Sequence, residues 1–257
     1  MGLIRSLVSA FACFSRIPVP HLAWRDDSMR YMMGLFPLVG AVEALFVMLW
    51  WLFCDAVGVG VVVRAAGMLL VPVLTTGGIH MDGFCDVIDA VVSQAEPVRK
   101  REILKDPHVG AFAVIGVVSY MLAYFAIATE LPLMWQAPAL MGCVYVMERA
   151  LSALSTMVFP KNANEGMMAA MRASADKRVA AAMDVVLYVA AAAVAVWASP
   201  AAGGVLVAAT LAWFGIMRWF SMRSFGGMSG DLAGFFLQVC EIVALTAVVV
   251  MAKAVGL

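Results

Sequence analysis

Thr75-Thr76-Gly77-Gly78-Ile79-His80-Met81-Asp82-Gly83-Phe84-Cys85-Asp86-Val87-Ile88-Asp89-Ala90 interrupts a largely apolar chain and sets three carboxylates within eight residues. With a helix from Asp82 onward, Asp82, Asp86 and Asp89 fall at i, i+4 and i+7 and share a face about 60° wide. Like charges at that spacing repel and weaken the helix, so a cation must offset them. Mg²⁺ suits the pattern: it takes one or two carboxylates and leaves its other positions to water and substrate phosphates. The competing reading is an acidic, solvated helix face. The glycines ahead of the aspartates, His80 and the apolar surroundings argue against it.

Outward from this stretch the chain is 257 residues, 64% hydrophobic and 13% charged, with mean hydropathy +0.96. That balance predicts an all-α, polytopic membrane bundle forming a single domain over 1–257. Apolar runs at about 34–54, 57–75, 109–128, 133–157, 180–198, 203–219 and 232–252 suggest about seven transmembrane helices. Residues 3–16, halted by Ile17-Pro18-Val19-Pro20, read as an N-terminal interfacial helix. The net charge is zero, and no basic stripe suggests nucleic acid. The five cysteines form no C-x-x-C pair, which argues against thiolate metal sites and a disulfide framework. The 20 methionines are adaptable apolar groups, suited to core packing and also to bulky, irregular ligands.

With the N-terminus inside, every Lys and Arg of the 17 except Arg64, Arg149 and Lys253 falls on the inner side. The aspartate stretch and the loops 96–108, 159–179 and 221–231 then face the cytoplasm, from the cytoplasmic (inner) membrane. Glu43, Arg64, Glu148, Arg149 and Glu241 fall inside apolar spans, where a charge is costly and marks function or a buried pair. Glu43 and Arg64, on consecutive spans, are expected to pair. Arg149 is expected to grip phosphate oxygens.

Four further segments extend the pattern. They are Phe14-Ser15-Arg16-Ile17-Pro18-Val19-Pro20, Gly34-Leu35-Phe36-Pro37-Leu38-Val39-Gly40, Arg99-Lys100-Arg101-Glu102-Ile103-Leu104-Lys105-Asp106, and Gly226-Gly227-Met228-Ser229-Gly230-Asp231-Leu232-Ala233-Gly234. With Thr76 to Ala90 they make five blocks, in order, that resemble the cobalamin synthase family. Two departures stand out. Ala113 replaces an expected glycine, and Asn162 to Asn164 occupies the place of the family's Arg-Gly, for which Lys161 is the nearest substitute.

The resemblance implies an adenosylcobinamide-GDP ribazoletransferase. The adenosylcobinamide phosphoryl group would pass from adenosylcobinamide-GDP to α-ribazole or its 5′-phosphate, and GMP would leave. On that reading Asp82, Asp86, Asp89 and Asp231 hold Mg²⁺, while Lys105 and Arg149 stabilise developing charge. Asp82 or His80 serves as general base. Gly77, Gly78, Arg101, Asp106, Lys161, Glu43 and Glu241 contact substrate. Asp231 also suits the N-cap of the last helix. The lipid bilayer is a partner, and a homo-oligomer or association with other cobalamin-assembly enzymes is compatible with the sequence. Two alternatives stand beside this reading. A CDP-alcohol phosphotransferase shares aspartate clusters in membrane helices, but Cys85-Asp86 replaces the Ala-Arg of its signature. A transporter would also explain the intramembrane charges.

Overall fold

The computed structural model describes residues 2–20, 22, 26–162 and 167–254. Arg25 and the 163–166 part of the segment that departs from the family pattern lie outside them. The described residues form twelve α-helices and no strand longer than a single bridge. The long ones are α3 (Met32–Val57), α4 (Val61–Thr76), α7 (Ala111–Ala128), α8 (Gln136–Val158), α10 (Lys177–Ala198), α11 (Pro200–Phe225) and α12 (Gly230–Ala254). Shorter ones are α1 (Gly2–Phe14), α2 (Asp26–Met29), α5 (Ile79–Val92), α6 (Pro97–Ile103) and α9 (Met167–Ser174). The all-α expectation holds, and all seven apolar runs are helices.

They differ in their fitness to cross a bilayer. Five (α3, α7, α10, α11, α12) are long and apolar enough, and α4 with α5 would make a sixth if taken as one bent span. The seventh expected span, α8, falls short in apolarity for a structural reason. It sits at the centre of the bundle, with 18 of its 23 residues buried. A helix shielded from lipid can carry Glu148 and Arg149, which would be costly on a lipid-facing helix, along with the hydroxyl residues Tyr145, Ser152, Ser155 and Thr156.

Small residues set the crossings in the centre. At Gly40 of α3 a Cβ would run into the Tyr145 carbonyl of α8. At Gly34 it would stand 2.9 Å from Ala180 Cα of α10. Such contacts let helix backbones approach closely where water offers no drive for association.

Gly77 and Gly78 both take positive φ, 68° and 78°, and turn the chain through 97° between α4 and α5. α5, at about 21 Å too short to cross a bilayer, then lies across the starts of two spans. Its Gly83 abuts Asp231 at the start of α12, and its Asp89 meets Gly110 at the start of α7. We therefore read α5 as a beam laid over one end of the bundle, outside the spans. Its lower face sends Phe84 down against Tyr120 and Phe235. The N-terminal helix is tied to the same end, where the Arg16 N–H donates to the Thr75 carbonyl at 2.7 Å.

Arg64 does not pair with Glu43. It lies one turn from the opposite end of α4, where it reaches Asp55 at 2.7 Å and the Trp51 carbonyl at 3.2 Å. The expectation took the two residues to share a depth. In fact the guanidinium extends toward the opposite surface, and Glu43 binds Arg149 instead.

Candidate active site

The α5–α12 crossing brings the acidic residues together. A Cβ on Gly83 would stand 2.9 Å from Asp231 Cα, and one on Gly234 would stand 2.9 Å from the His80 carbonyl. Only residues without side chains let the two helices run this close. Asp82 is exposed, while Asp86, Asp89 and Asp231 are half-buried. Burial first, then the carboxylates of Asp82, Asp231 and Asp89, holds the Asp86 carboxyl up to about 6. Asp89 is turned partly aside: its carboxylate fills the space at Gly110, beside the N-terminus of α7, where the helix dipole favours a negative charge. Among the described residues, no three His, Cys, Asp or Glu side chains converge closely enough to cage an ion on their own.

Three cavities meet around Asp82 and Asp231. The first, about 760 Å³ of empty space, is mainly apolar, walled by Phe14, Phe36, Met33, Met167, Met168 and Met171 and edged by His80, Asp82 and Asp231. The second, about 1020 Å³, is basic, with Arg101, Lys105, Lys161 and Arg172 facing Ser229, Gly230 and Asp231. The third, about 720 Å³, holds Arg16 beside Gly77, Gly78 and Asp82.

The basic residues come from distant parts of the chain and are held by backbone contacts. The Met228 N–H donates to the Pro160 carbonyl at 2.7 Å and the Asn162 N–H to the Met228 carbonyl at 3.3 Å, which sets Lys161 beside the start of α12. Arg101 donates to the Phe225 carbonyl at 3.0 Å, and Arg172 to the Phe159 carbonyl at 2.9 Å. Both anchor a guanidinium whose remaining donors are available to an anion.

His80 is 6% exposed, and its Nε2 has no hydrogen-bond partner. Burial, and then the charge of Arg149, pushes its pKa well below the usual imidazole range, so the ring is neutral.

Four expected site residues stand elsewhere. Arg149 is fully buried, bound to Glu43 at 2.8 Å and to Glu148 at 2.8 Å. Glu241 lies in the same interior cluster, within hydrogen-bond reach of Glu148 and Tyr120. None of Glu43, Arg149 and Glu241 lines the three cavities. Arg149 nevertheless touches the site indirectly: its guanidinium lies 5.7 Å from the Phe36 ring, and that ring lies 5.7 Å from His80. Asp106 is exposed and folded back on its own loop, where it accepts from the His108 N–H at 3.0 Å. Conversely, Arg16 and Arg172 line cavities although neither was assigned a role. For Arg16 the signal was present, since it belongs to one of the five blocks. For Arg172 the sequence carried only a charge.

A helical membrane bundle with paired acids at one end, flanked by a cationic cleft and an apolar chamber, defines the class: a polytopic membrane protein equipped for phosphoryl chemistry. The chain belongs to the cobalamin-5-phosphate synthase family, whose model matches residues 6–249. It is 37% identical over 250 residues to a Lachnoclostridium phytofermentans protein named adenosylcobinamide-GDP ribazoletransferase, covering 97% of this chain and 95% of that one. Proteins with the same name from Geobacillus kaustophilus (30% over 245 residues, 91% of each chain) and Clostridium botulinum strain Alaska E43 (27% over 251 residues, 95% and 96%) are also similar. No solved structure matches.

Proposed function

We propose that this chain transfers the adenosylcobinamide phosphoryl group from adenosylcobinamide-GDP to α-ribazole or its 5′-phosphate, releasing GMP. The observation that carries the reading is the meeting of Asp82 and Asp231 between a four-cation cleft and an apolar chamber, in a chain of this family. A reaction between two phosphate-bearing partners needs acids that hold a metal, cations for the phosphates, and room for apolar groups.

The donor set fits Mg²⁺. Burial first, and then the neighbouring aspartates, raise the Asp86 carboxyl, so a cation would relieve the cluster, and oxygen ligands shared with substrate phosphates are what this ion prefers. Asp82 and Asp231, which edge one chamber, would hold it together with substrate phosphates and water, with Asp86 adding charge beside them and Asp89 bracing α5 against α7. Bound there, the ion would supply charge neutralisation at the attacked phosphorus and on the leaving phosphate. Arg101, Lys105, Lys161 and Arg172 bind and orient the pyrophosphate, and Gly77, where a Cβ would collide with the Arg16 side chain, lets Arg16 lie beside Asp82, with Gly78 lining the same cavity. His80, neutral and at the edge of the chamber beside Asp82, is the candidate to take the proton of the attacking ribose hydroxyl. Glu43, Glu148, Glu241 and Arg149 support the wall behind Phe36 and His80.

The concentration of Lys and Arg at the site's end of the chain supports a site facing the cytoplasm from the inner membrane. The test is GMP release from adenosylcobinamide-GDP by the purified protein. Release should require both α-ribazole and Mg²⁺. Turnover of a CDP-alcohol instead, or substrate uptake into vesicles without chemistry, would replace this reading with one of its two rivals.

A further inference from the structure

The acids stand between two cationic places that share no lining residue. On the Asp231 side, the cleft gathers Arg101, Lys105, Lys161 and Arg172. On the Asp82 side, the cavity beside Gly77 and Gly78 offers one cation, Arg16. The fold holds Arg16 there. Its backbone N–H donates to the Thr75 carbonyl at 2.7 Å, and its side-chain stem lies where a Cβ on Gly77 would collide with it. Among the described residues its guanidinium makes no ion pair and no hydrogen bond, although Asp82 lines the same cavity. Its five donors are left to water or to an incoming anion.

Resting on the function proposed above, we infer that Arg16 is the residue that tells a phosphorylated acceptor from an unphosphorylated one, by binding a phosphomonoester carried on the acceptor's ribose. The argument is one of sides. In phosphoryl transfer the attacking and leaving oxygens lie roughly in line through the phosphorus. With the pyrophosphate in the four-cation cleft, the leaving phosphate lies toward Asp231, so the acceptor hydroxyl arrives from the Asp82 side. A hydroxyl nucleophile needs no cation of its own. A phosphate at the other end of the same ribose does, and Arg16 is the one cation lining the cavity on that side. A guanidinium can meet a phosphate through two parallel bonds, so it supplies orientation as well as charge. The rival role for Arg16 is an anchor that ties the N-terminal segment to the turn before α5. An anchor acts on every substrate alike, and that difference can be measured.

The test compares α-ribazole with α-ribazole 5′-phosphate on the purified full-length protein in detergent, by KM in GMP release and, without turnover, by equilibrium dialysis. Wild type should favour the 5′-phosphate at least tenfold by both measures. Arg16→Ala should weaken the 5′-phosphate at least tenfold, and α-ribazole and adenosylcobinamide-GDP by no more than twofold. Arg16→Gln keeps a stem against Gly77 while removing the charge. It should behave in the same way, and it carries the test if the alanine variant does not fold. Arg16→Lys should recover part of the preference. An equal loss for both acceptors, or a lowered Tm with the preference intact, is what an anchor predicts, and either result would overturn the assignment. So would a loss confined to adenosylcobinamide-GDP. The two readings fail separately. Arg16-dependent binding of the 5′-phosphate in dialysis with no GMP release would sink the proposed reaction and leave the role of Arg16 standing. GMP release in which Arg16→Gln keeps the wild-type preference would sink the role of Arg16 alone.

Discussion

Gly83 and Asp231 lie back to back across the α5–α12 crossing, so close that a Cβ on Gly83 would stand 2.9 Å from the Asp231 Cα. The two acid-bearing helices share a site because one of them has no side chain at this point. Gly83→Ala must therefore push α5 off α12. Overpacking of this kind costs about 1–3 kcal/mol, which a bundle of this size can absorb. The expected outcome is a helical protein by circular dichroism with a Tm lowered by several degrees and GMP release reduced at least tenfold. Wild-type turnover in Gly83→Ala would mean that the spacing of Asp82 and Asp231 does not matter.

The acids themselves should not be equivalent. Asp231 edges both the apolar chamber and the cationic cleft and Asp82 edges the chamber with it, whereas Asp89 is turned to Gly110 at the start of α7. Asp82→Asn and Asp231→Asn are expected to lower turnover by at least a hundredfold and to abolish its response to Mg²⁺. Asp89→Asn should cost several-fold in rate and retain the Mg²⁺ response. A metal titration of GMP release on the three variants separates the roles, and an Asp89→Asn variant that no longer responds to Mg²⁺ would restore Asp89 as a direct ligand.

Asp86 gives a pH signature. Its carboxyl is raised from the ordinary 3.8 to about 6, first by burial and then by Asp82, Asp231 and Asp89. Between those values the folded protein binds more protons than the unfolded chain, so stability falls as pH rises through the window and is level above it. The half-exposed position and solvent screening keep the effect small. With a chelator present, Tm should fall between pH 4 and 6, and Asp86→Asn should flatten that slope and raise Tm at pH 7. Mg²⁺ should do the same for wild type. A thermal-melt series in which Asp86→Asn retains the wild-type slope would reassign it to another group.

Much of this arrangement was readable from residue order. Hydropathy placed all seven long helices, and the i, i+4, i+7 spacing of Asp82, Asp86 and Asp89 foretold a shared face. What it could not show was the 97° turn at Gly77 and Gly78, because two glycines permit a sharp bend without specifying its angle. That turn lays α5 across the bundle, gives Asp89 to α7 and leaves Asp82 and Asp86 to face Asp231. The pairing of Glu43 was missed because depth counted along a helix ignores side-chain reach. Arg64 extends to Asp55 at the opposite end, and that frees Glu43 for Arg149. Arg172 was unreadable as a site residue because only the fold of the 159–174 segment brings it to the cleft with Arg101 and Lys105.

The cationic cleft should govern one substrate and not the other. Lys105 is exposed and contributes charge alone, whereas Arg101 is also anchored to the Phe225 carbonyl. Lys105→Ala is expected to raise KM for adenosylcobinamide-GDP about tenfold, with KM for unphosphorylated α-ribazole unchanged. Arg101→Ala should add a loss of kcat, because the contact joining α6 to the end of α11 goes with it. Steady-state kinetics varying each substrate in turn would decide this, and an equal rise in both KM values would mean that the cleft is not selective.

Arg149 separates two roles that both leave the enzyme impaired. A guanidinium that grips substrate phosphate should, when removed, raise KM in a protein of normal stability. The structure instead buries Arg149 completely between Glu43 and Glu148, with both ion pairs at 2.8 Å. Removing one partner of such a group leaves uncompensated charge inside the bundle and typically costs about 3–5 kcal/mol. Arg149→Met is therefore expected to accumulate poorly and to melt far below wild type. A second change, Glu43→Gln, should recover part of the loss, because it removes one of the stranded carboxylates. Thermal melts of the single and double variants in detergent provide the measurement. If Arg149→Met melted like wild type and merely bound substrate weakly, the guanidinium would be a ligand-binding group after all, and the interior cluster would have to open toward the cavities during turnover.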